Sequence, residues 1–296
     1  MNTQLPLVDR SALITTRRRH LPRFQLLPGV PIAILVFMVG IAIFAPLLTP
    51  FDPVKADLRN FLQPPAFVGG LPDHFLGTDT FGRDVWSRLV FGARVSLSVA
   101  LLSLTIATIV GGVVGLAAGY LGGWVDSALM RLVDVVLALP TVLVALAIAI
   151  ALGPSYTNMI LIIGLMIWPR TARLLRAETL LIKQHDFARY SRAVGVPGWL
   201  IVGRHILPNV MPTLLVAVTL EVGNVILLEA TLSFLGAGIP APQPSWGVMV
   251  SDGRALIGTG WWISLFPGIA ILLTVLSCNM LGDWLRDHFD PKFREV

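Results

Sequence analysis

The sequence is poor in charge. Only 13% of its 296 residues are Asp, Glu, Lys or Arg, against 55% hydrophobic, and the mean hydropathy is +0.78. Soluble domains carry about 25% charged residues. The deficit excludes an ordinary water-soluble globule, whose surface could not hide this much apolar area. Cysteine is nearly missing: Cys278 stands alone in an apolar run, which excludes an intrachain disulfide and reads as a small core residue. Lysine occurs only at Lys55, Lys183 and Lys292, none of them after a glycine, so the phosphate-cradling pattern Gly-x-x-x-x-Gly-Lys-Ser/Thr is absent. One cysteine and five scattered histidines cannot make a Cys/His metal site. No Gly-x-Ser-x-Gly nucleophile turn occurs either. The formal charge of +5 is dispersed among apolar runs instead of gathered on one face, which argues against nucleic acid.

Long apolar runs are what the chain has in abundance. A membrane-crossing helix needs about 20 predominantly apolar residues. Six segments qualify, over roughly 28–48, 94–120, 130–152, 156–170, 211–235 and 262–284, with the fourth short enough to continue as a helix beyond the bilayer. The first run, preceded by Arg17, Arg18 and Arg19, is too long for a cleaved signal and reads as a retained anchor. Placing the N-terminus inside puts fifteen Lys and Arg in the internal segments 1–27, 121–131, 171–210 and 285–296, against five in the external loops 49–93, 153–155 and 236–261. That asymmetry predicts both termini on the cytoplasmic side of an all-α, six-span, multi-pass protein. The chain then divides into a cytoplasmic segment 1–27, a first span with its external loop over 28–93, a five-helix core over 94–284, and a tail over 285–296.

Polar segments between the runs carry the functional candidates. The external loops contain H-F-L-G-T-D-T-F-G-R-D-V-W-S-R (74–88) and P-A-P-Q-P-S-W-G-V-M-V-S-D-G-R (240–254), both rich in turn formers. Asp79, Arg83 and Asp84 are expected to form an ion-paired turn holding the loop to the spans, or else to help dock an external protein. Trp261 and Trp262 read as interfacial anchors. Arg170, Arg173, Arg176 and Lys183 read as orientation and headgroup residues.

The internal loop 171–210 includes D-F-A-R-Y-S-R-A-V-G-V-P-G. Asp186 is placed to cap a short helix, and Phe187, Tyr190, Ala193 and Val194 recur on one face. Arg189, Ser191 and Arg192 lie off that stripe. Gly195 is suited to a left-handed stop, and Pro197 blocks continuation. So short a helix is not stable alone in water. Either its stripe folds back on the spans, or it projects as a knob into a partner's groove.

Charges within the spans are functional candidates by default. Asp134 lies near the cytoplasmic start of the third. Glu221 and Glu229 are eight residues apart, about 80° around one helix, with Asn224 between them. They could contact a solute's amino group, or satisfy polar groups in helix packing.

The spacing from Gly195 to Leu207-Pro208 resembles the cytoplasmic signature of permease subunits of ATP-binding-cassette importers, although Arg189, Tyr190 and Ser191 stand where the signature has Glu-Ala-Ala. The resemblance extends to the second, C-type permease of dipeptide and oligopeptide systems. It is carried by Leu76-Gly77-Thr78-Asp79, Gly82-Arg83-Asp84, Gly92-Ala93-Arg94, Arg204-His205-Ile206-Leu207-Pro208-Asn209, Glu229 to Gly236, Pro244-Ser245-Trp246-Gly247, Asn279 to Asp283 and Asp290-Pro291. It covers roughly 28–292.

The resemblance implies a type I importer permease fold in a bacterial-type cytoplasmic membrane. It implies that the loop around Asp186 to Gly195 is a coupling helix docked on an ATPase. It further implies a second related permease, two ATPases that use ATP and Mg, and an extracytoplasmic solute-binding protein. The chain itself is then no enzyme and holds no cofactor. The rivals are a self-sufficient secondary transporter or channel, which would need an ion-coupling site and an inverted repeat, and an intramembrane enzyme, which would need paired catalytic groups at one depth.

Overall fold

The computed structural model describes residues 28–289; the segment 1–27 and the tail motif Asp290-Pro291 lie outside the described residues. Backbone in lipid must satisfy its own hydrogen bonds, which a single segment does only as a helix. The described residues form helices and one isolated bridge, Thr78 to Asp84, with no strand. In order the helices are α1 (Gly29–Ile43), α2 (Ala45–Leu48), α3 (Val85–Leu121), α4 (Gly123–Ala138), α5 (Thr141–Leu152), α6 (Tyr156–Ile182), α7 (Asp186–Ala193), α8 (Gly198–Ile201), α9 (Leu207–Phe234), α10 (Trp246–Gly253) and α11 (Trp262–Phe289). A π-helical turn, Val202–Ile206, joins α8 to α9.

Among the described residues, four helices are long and apolar enough to cross a membrane: α3, α6, the run Gly198–Phe234 and α11. A fifth span arises if α4 and α5, bent by 88°, count as one. The break falls at Leu139, which is extended (φ −85°, ψ 142°) ahead of Pro140, where proline's ring disfavours helix in the preceding residue. The predicted run 130–152 is therefore two pieces. The predicted first span is met by the 15-residue α1 and the short α2.

Other boundaries also move. Helix α3 starts at Val85, nine residues before the apolar run at 94, because the Asp84 carboxylate accepts the Ser87 N–H at 2.8 Å and caps it. Arg94 is thus inside a helix, and the expected division at 93/94 cuts through α3. Helix α6 runs on to Ile182, as its short apolar stretch suggested it could.

Glycine sets how closely α3 and α6 pack. Gly111, Gly115 and Gly119 repeat every fourth residue on one face of α3. A Cβ on Gly111 would lie 2.5 Å from the Trp168 carbonyl oxygen, one on Gly115 2.5 Å from that of Ala172, and one on Gly119 2.6 Å from the Thr179 Cβ. Lipid offers no hydrophobic drive for helices to associate, so close backbone approach and dispersion supply the attraction. Ser103 Oγ adds a bond across this seam, donating to the Ile160 carbonyl at 3.1 Å. The main core gathers around the seam and includes Leu104, Ala107, Ile163, Ile167, Trp168 and Ala172. The two helices form one stiff body, and both lead toward α7.

Candidate functional site

Helix α7 sits at the foot of that body. Its N-cap is His185, whose side chain makes no cap bond, so Asp186 is the first helical residue and not the expected cap. At the other end the chain closes on Gly195 at φ +81°. The Gly195 N–H donates to the Arg192 carbonyl and the Val196 N–H to that of Ser191, both at 3.0 Å. This is the paired-bond stop that favours glycine at the left-handed position. Space around Gly195 is open, so its requirement is conformational and not steric.

The apolar stripe does not fold back on the spans. The buried residue of α7 is Ala188, while Tyr190 is 71% and Val194 78% exposed, joined by Trp199 at 75%. Ala193 is exposed too, and Phe187 partly so, its ring near His185 and His205. Trp199 was not singled out from the sequence because it lies beyond the Pro197 break.

Arg192, off the apolar stripe and itself exposed, reaches back toward the end of α6. It donates to the Lys183 carbonyl at 2.8 Å and lies over the Tyr120 ring at 5.9 Å. Lys183 bonds the Tyr120 carbonyl. Burial, with Arg192 close by, pulls the Lys183 ammonium below the ordinary lysine range. Beneath lies a small apolar cluster of Leu175, Ile182, Ile201, Ile206, Val210 and Leu214. The helix is thus fixed on its inner side and bare on its outer side. Arg189 and the Leu207-Pro208 pair are exposed, and Ser191 Oγ donates to the Phe187 carbonyl at 2.8 Å.

Three arginines on α6 make ion pairs that spacing alone could not assign. Arg170 Nη1 lies 3.4 Å from Glu221 Oε1 on α9, and Arg173 Nη2 lies 2.7 Å from Asp134 Oδ1 on α4. Arg176 grips both oxygens of Asp126, one at 2.7 Å. Asn224 donates to Glu221 at 3.0 Å.

At the opposite end, the two polar segments that the sequence places outside are locked together. Arg83 Nε lies 2.7 Å from Asp79 Oδ2, Arg88 Nε 3.4 Å from the same oxygen, and Arg88 Nη2 3.3 Å from Asp252 Oδ2 on α10. Burial pushes the Asp252 carboxyl above the ordinary range, opposed by Arg88 and Arg83. Asp84, besides capping α3, meets His74 Nδ1 at 3.0 Å. Trp262, expected as an interfacial anchor, is instead buried, donating from Nε1 to the Thr78 carbonyl at 3.0 Å. Asp79 and Arg83 therefore form the expected ion-paired turn, completed by Arg88 and Asp252, while Asp84 pairs separately with His74.

Glu229 and Glu221 separate in character. Glu229 is 1% exposed and accepts hydroxyl hydrogens from Ser245 at 2.8 Å, Ser233 at 3.0 Å and Ser96 at 3.5 Å. It ties α9, α10 and α3 together. Glu221 keeps a partly open side chain. Among the described residues no group of three or more His, Cys, Asp or Glu could hold a metal ion.

Comparison with known proteins bears on the whole chain. Residues 111–295 match the family described as "Binding-protein-dependent transport system inner membrane component", and residues 32–65 match the "N-terminal TM domain of oligopeptide transport permease C". The chain is 42% identical over 265 residues to the dipeptide transport system permease protein DppC of Alkalihalophilus pseudofirmus, covering 90% of this chain and 86% of the relative. It is 40% identical to a di/tripeptide transport system permease protein of Pseudomonas aeruginosa, covering 88% and 87%. With the glutathione transport system permease protein of Pectobacterium atrosepticum it shares 35% identity, covering 99% and 97%. Among solved structures, the MetNI methionine ABC transporter superposes with a TM-score of 0.57 at 19% identity, over 68% of this chain and 96% of that one. That likeness concerns the fold. The chain belongs to the family of inner-membrane components of binding-protein-dependent transport systems, on the branch that carries the N-terminal domain of the permease C proteins.

Proposed function

We infer that this chain is the C-type permease subunit of an ATP-driven importer for peptides or related small solutes. It forms half of a translocation pathway and burns no fuel of its own. Six spans with both termini inside, in a bacterial-type cytoplasmic membrane, complete the arrangement. Its companions are a second, non-identical permease, two ATPase subunits that bind ATP and Mg, and an extracytoplasmic solute-binding protein.

The observation that carries this reading is the contrast between the two sides of α7. Its inner side is pinned by Arg192 and Ala188, while Tyr190, Val194 and Trp199 stand bare. A helix presenting apolar side chains to water, rigidly held, suits a groove on another protein. Permease names among the relatives support the same reading. When ATP closes the paired ATPases, α7 acts as a lever. The push passes through Tyr120 and Lys183 into α3 and α6, which move together because their glycine seam leaves no slack. The pathway then switches between two packed states, biased by nucleotide.

In this reading Asp186 to Gly195, with Leu207 and Pro208, belong to the coupling surface. Asp79, Arg83 and Asp84 hold the outer loop. Glu221 and Asn224 are the pathway candidates. Glu229, enclosed by serines, serves packing. The deciding experiment reconstitutes the chain with its companion subunits in proteoliposomes and follows uptake of a dipeptide. Uptake that requires ATP, the ATPases and the binding protein supports the reading. Uptake by the purified chain alone would establish the rival, a self-sufficient secondary transporter or channel.

A further inference from the structure

A groove of about 780 Å³ runs between α1, α3 and α9. Most of its wall is apolar, as at Val39 on α1 and Val218 on α9. The α3 wall differs: Arg94, Ser98, Thr105 and Thr108 all line the groove. Their spacings of four, seven and three residues keep them within about 80° of one another around the helix, and they descend about 21 Å along it. A polar row on a membrane helix faces the protein interior or water, because lipid penalises it.

Within that row the polar groups are not equivalent. Ser98 donates to the Val95 carbonyl at 2.8 Å and accepts from the Tyr156 hydroxyl, and Thr105 donates to the Leu101 carbonyl at 2.8 Å. These hydroxyls are satisfied locally. Arg94 is exposed to the groove and has no ion pair or hydrogen bond among the described residues. Arg170, Arg173 and Arg176 on α6 differ, since each has a carboxylate, while Arg131 and Arg204, likewise without an ion pair among the described residues, do not line the groove. Ile43, the last residue of α1, also lines the groove, so Arg94 lies toward the external end.

We propose that Arg94 receives the terminal carboxylate of the transported peptide at the outer end of this groove, making it a specificity-determining residue of the pathway. This rests on the importer reading given above. A guanidinium presents a planar fork of donors matched to a carboxylate, and apolar walls on either side strengthen the attraction by excluding water. A lone cation beside an apolar channel also selects against cationic termini. The same anionic chemistry could come from a lipid phosphate, so the experiment separates the two sources.

The complete transporter, with companion permease, ATPases and binding protein, is reconstituted in proteoliposomes of phosphatidylcholine, with and without phosphatidylglycerol. Import of alanyl-alanine and of its C-terminal amide is measured at saturating loaded binding protein, for wild type, Arg94→Gln and Arg94→Lys. Losing one charge-assisted contact should lower the acid-to-amide import ratio about tenfold in Arg94→Gln, in both lipid mixtures, with Arg94→Lys recovering much of it. Equal loss for both solutes, no change in the ratio, or a difference appearing only with phosphatidylglycerol would overturn the proposal. If wild type imports neither solute with ATP, the importer reading itself has failed.

Discussion

The two ends of the molecule treat their polar and apolar groups in opposite ways. At the end that carries the loop 74–88, Asp79, Arg83 and Arg88 are buried and pair with one another and with the more exposed Asp252. At the α7 end, the helix is bonded beneath by Arg192 while Tyr190 and Val194 remain uncovered. A buried, self-paired cluster is a structural fastening. An exposed apolar ridge on a rigid seat is unfinished without a second molecule. The comparison therefore shows fastening at one end, and at the other the bare ridge on which the proposed transmission rests.

The largest expected effect breaks the outer fastening. Asp79→Ala leaves Arg83 and Arg88 without their shared carboxylate, and stripping one partner from a buried pair costs about 3 kcal/mol. Thermal unfolding of the detergent-purified protein should show a clear fall in midpoint. An unchanged midpoint would mean that the clamp is ornamental. Next comes the seam between the ends. Gly111→Leu drives a side chain toward the Trp168 carbonyl, and overpacking of this kind costs about 2 kcal/mol. Here α3 and α6 must separate, so uptake should fall along with stability.

A smaller effect is expected at the inner end. Gly195→Ala meets no neighbour, yet places a Cβ at φ +81°, for about 1 kcal/mol. Asn at the same position should cost less than Ala, since it tolerates the left-handed region; the two unfolding midpoints decide the order. Tyr190→Ala should move stability least, within about 0.5 kcal/mol. A large shift there would mean that Tyr190 packs within the chain, and the contrast between the ends would dissolve.

Much of this organisation was legible in the sequence, for identifiable reasons. Apolar run length located the helices, because lipid allows few other solutions. Gly195 and Pro197 marked the end of α7, since few residues suit those positions. The start of α3 was missed because Ser87, Arg88 and Arg94 interrupt its first turns, and the charge of Arg88 is paired with a distant residue. Arg88 meets Asp252 across 164 positions, a distance no local pattern encodes. The break at Pro140 was hidden inside a continuous apolar run. The packing stripe of Gly111, Gly115 and Gly119 was not read from the sequence, although the regular spacing was an available signal. Helical phase put Arg192 off the apolar stripe, but could not show that its long side chain reaches back to the Lys183 carbonyl.

The most direct measurement is ATP-driven uptake by the reconstituted complex carrying Tyr190→Ala together with Gly195→Asp, with membrane insertion checked in parallel. If α7 is where the push arrives, insertion is normal and uptake falls at least about tenfold, as for loss of an interface anchor. Uptake at the wild-type rate would contradict that role for α7.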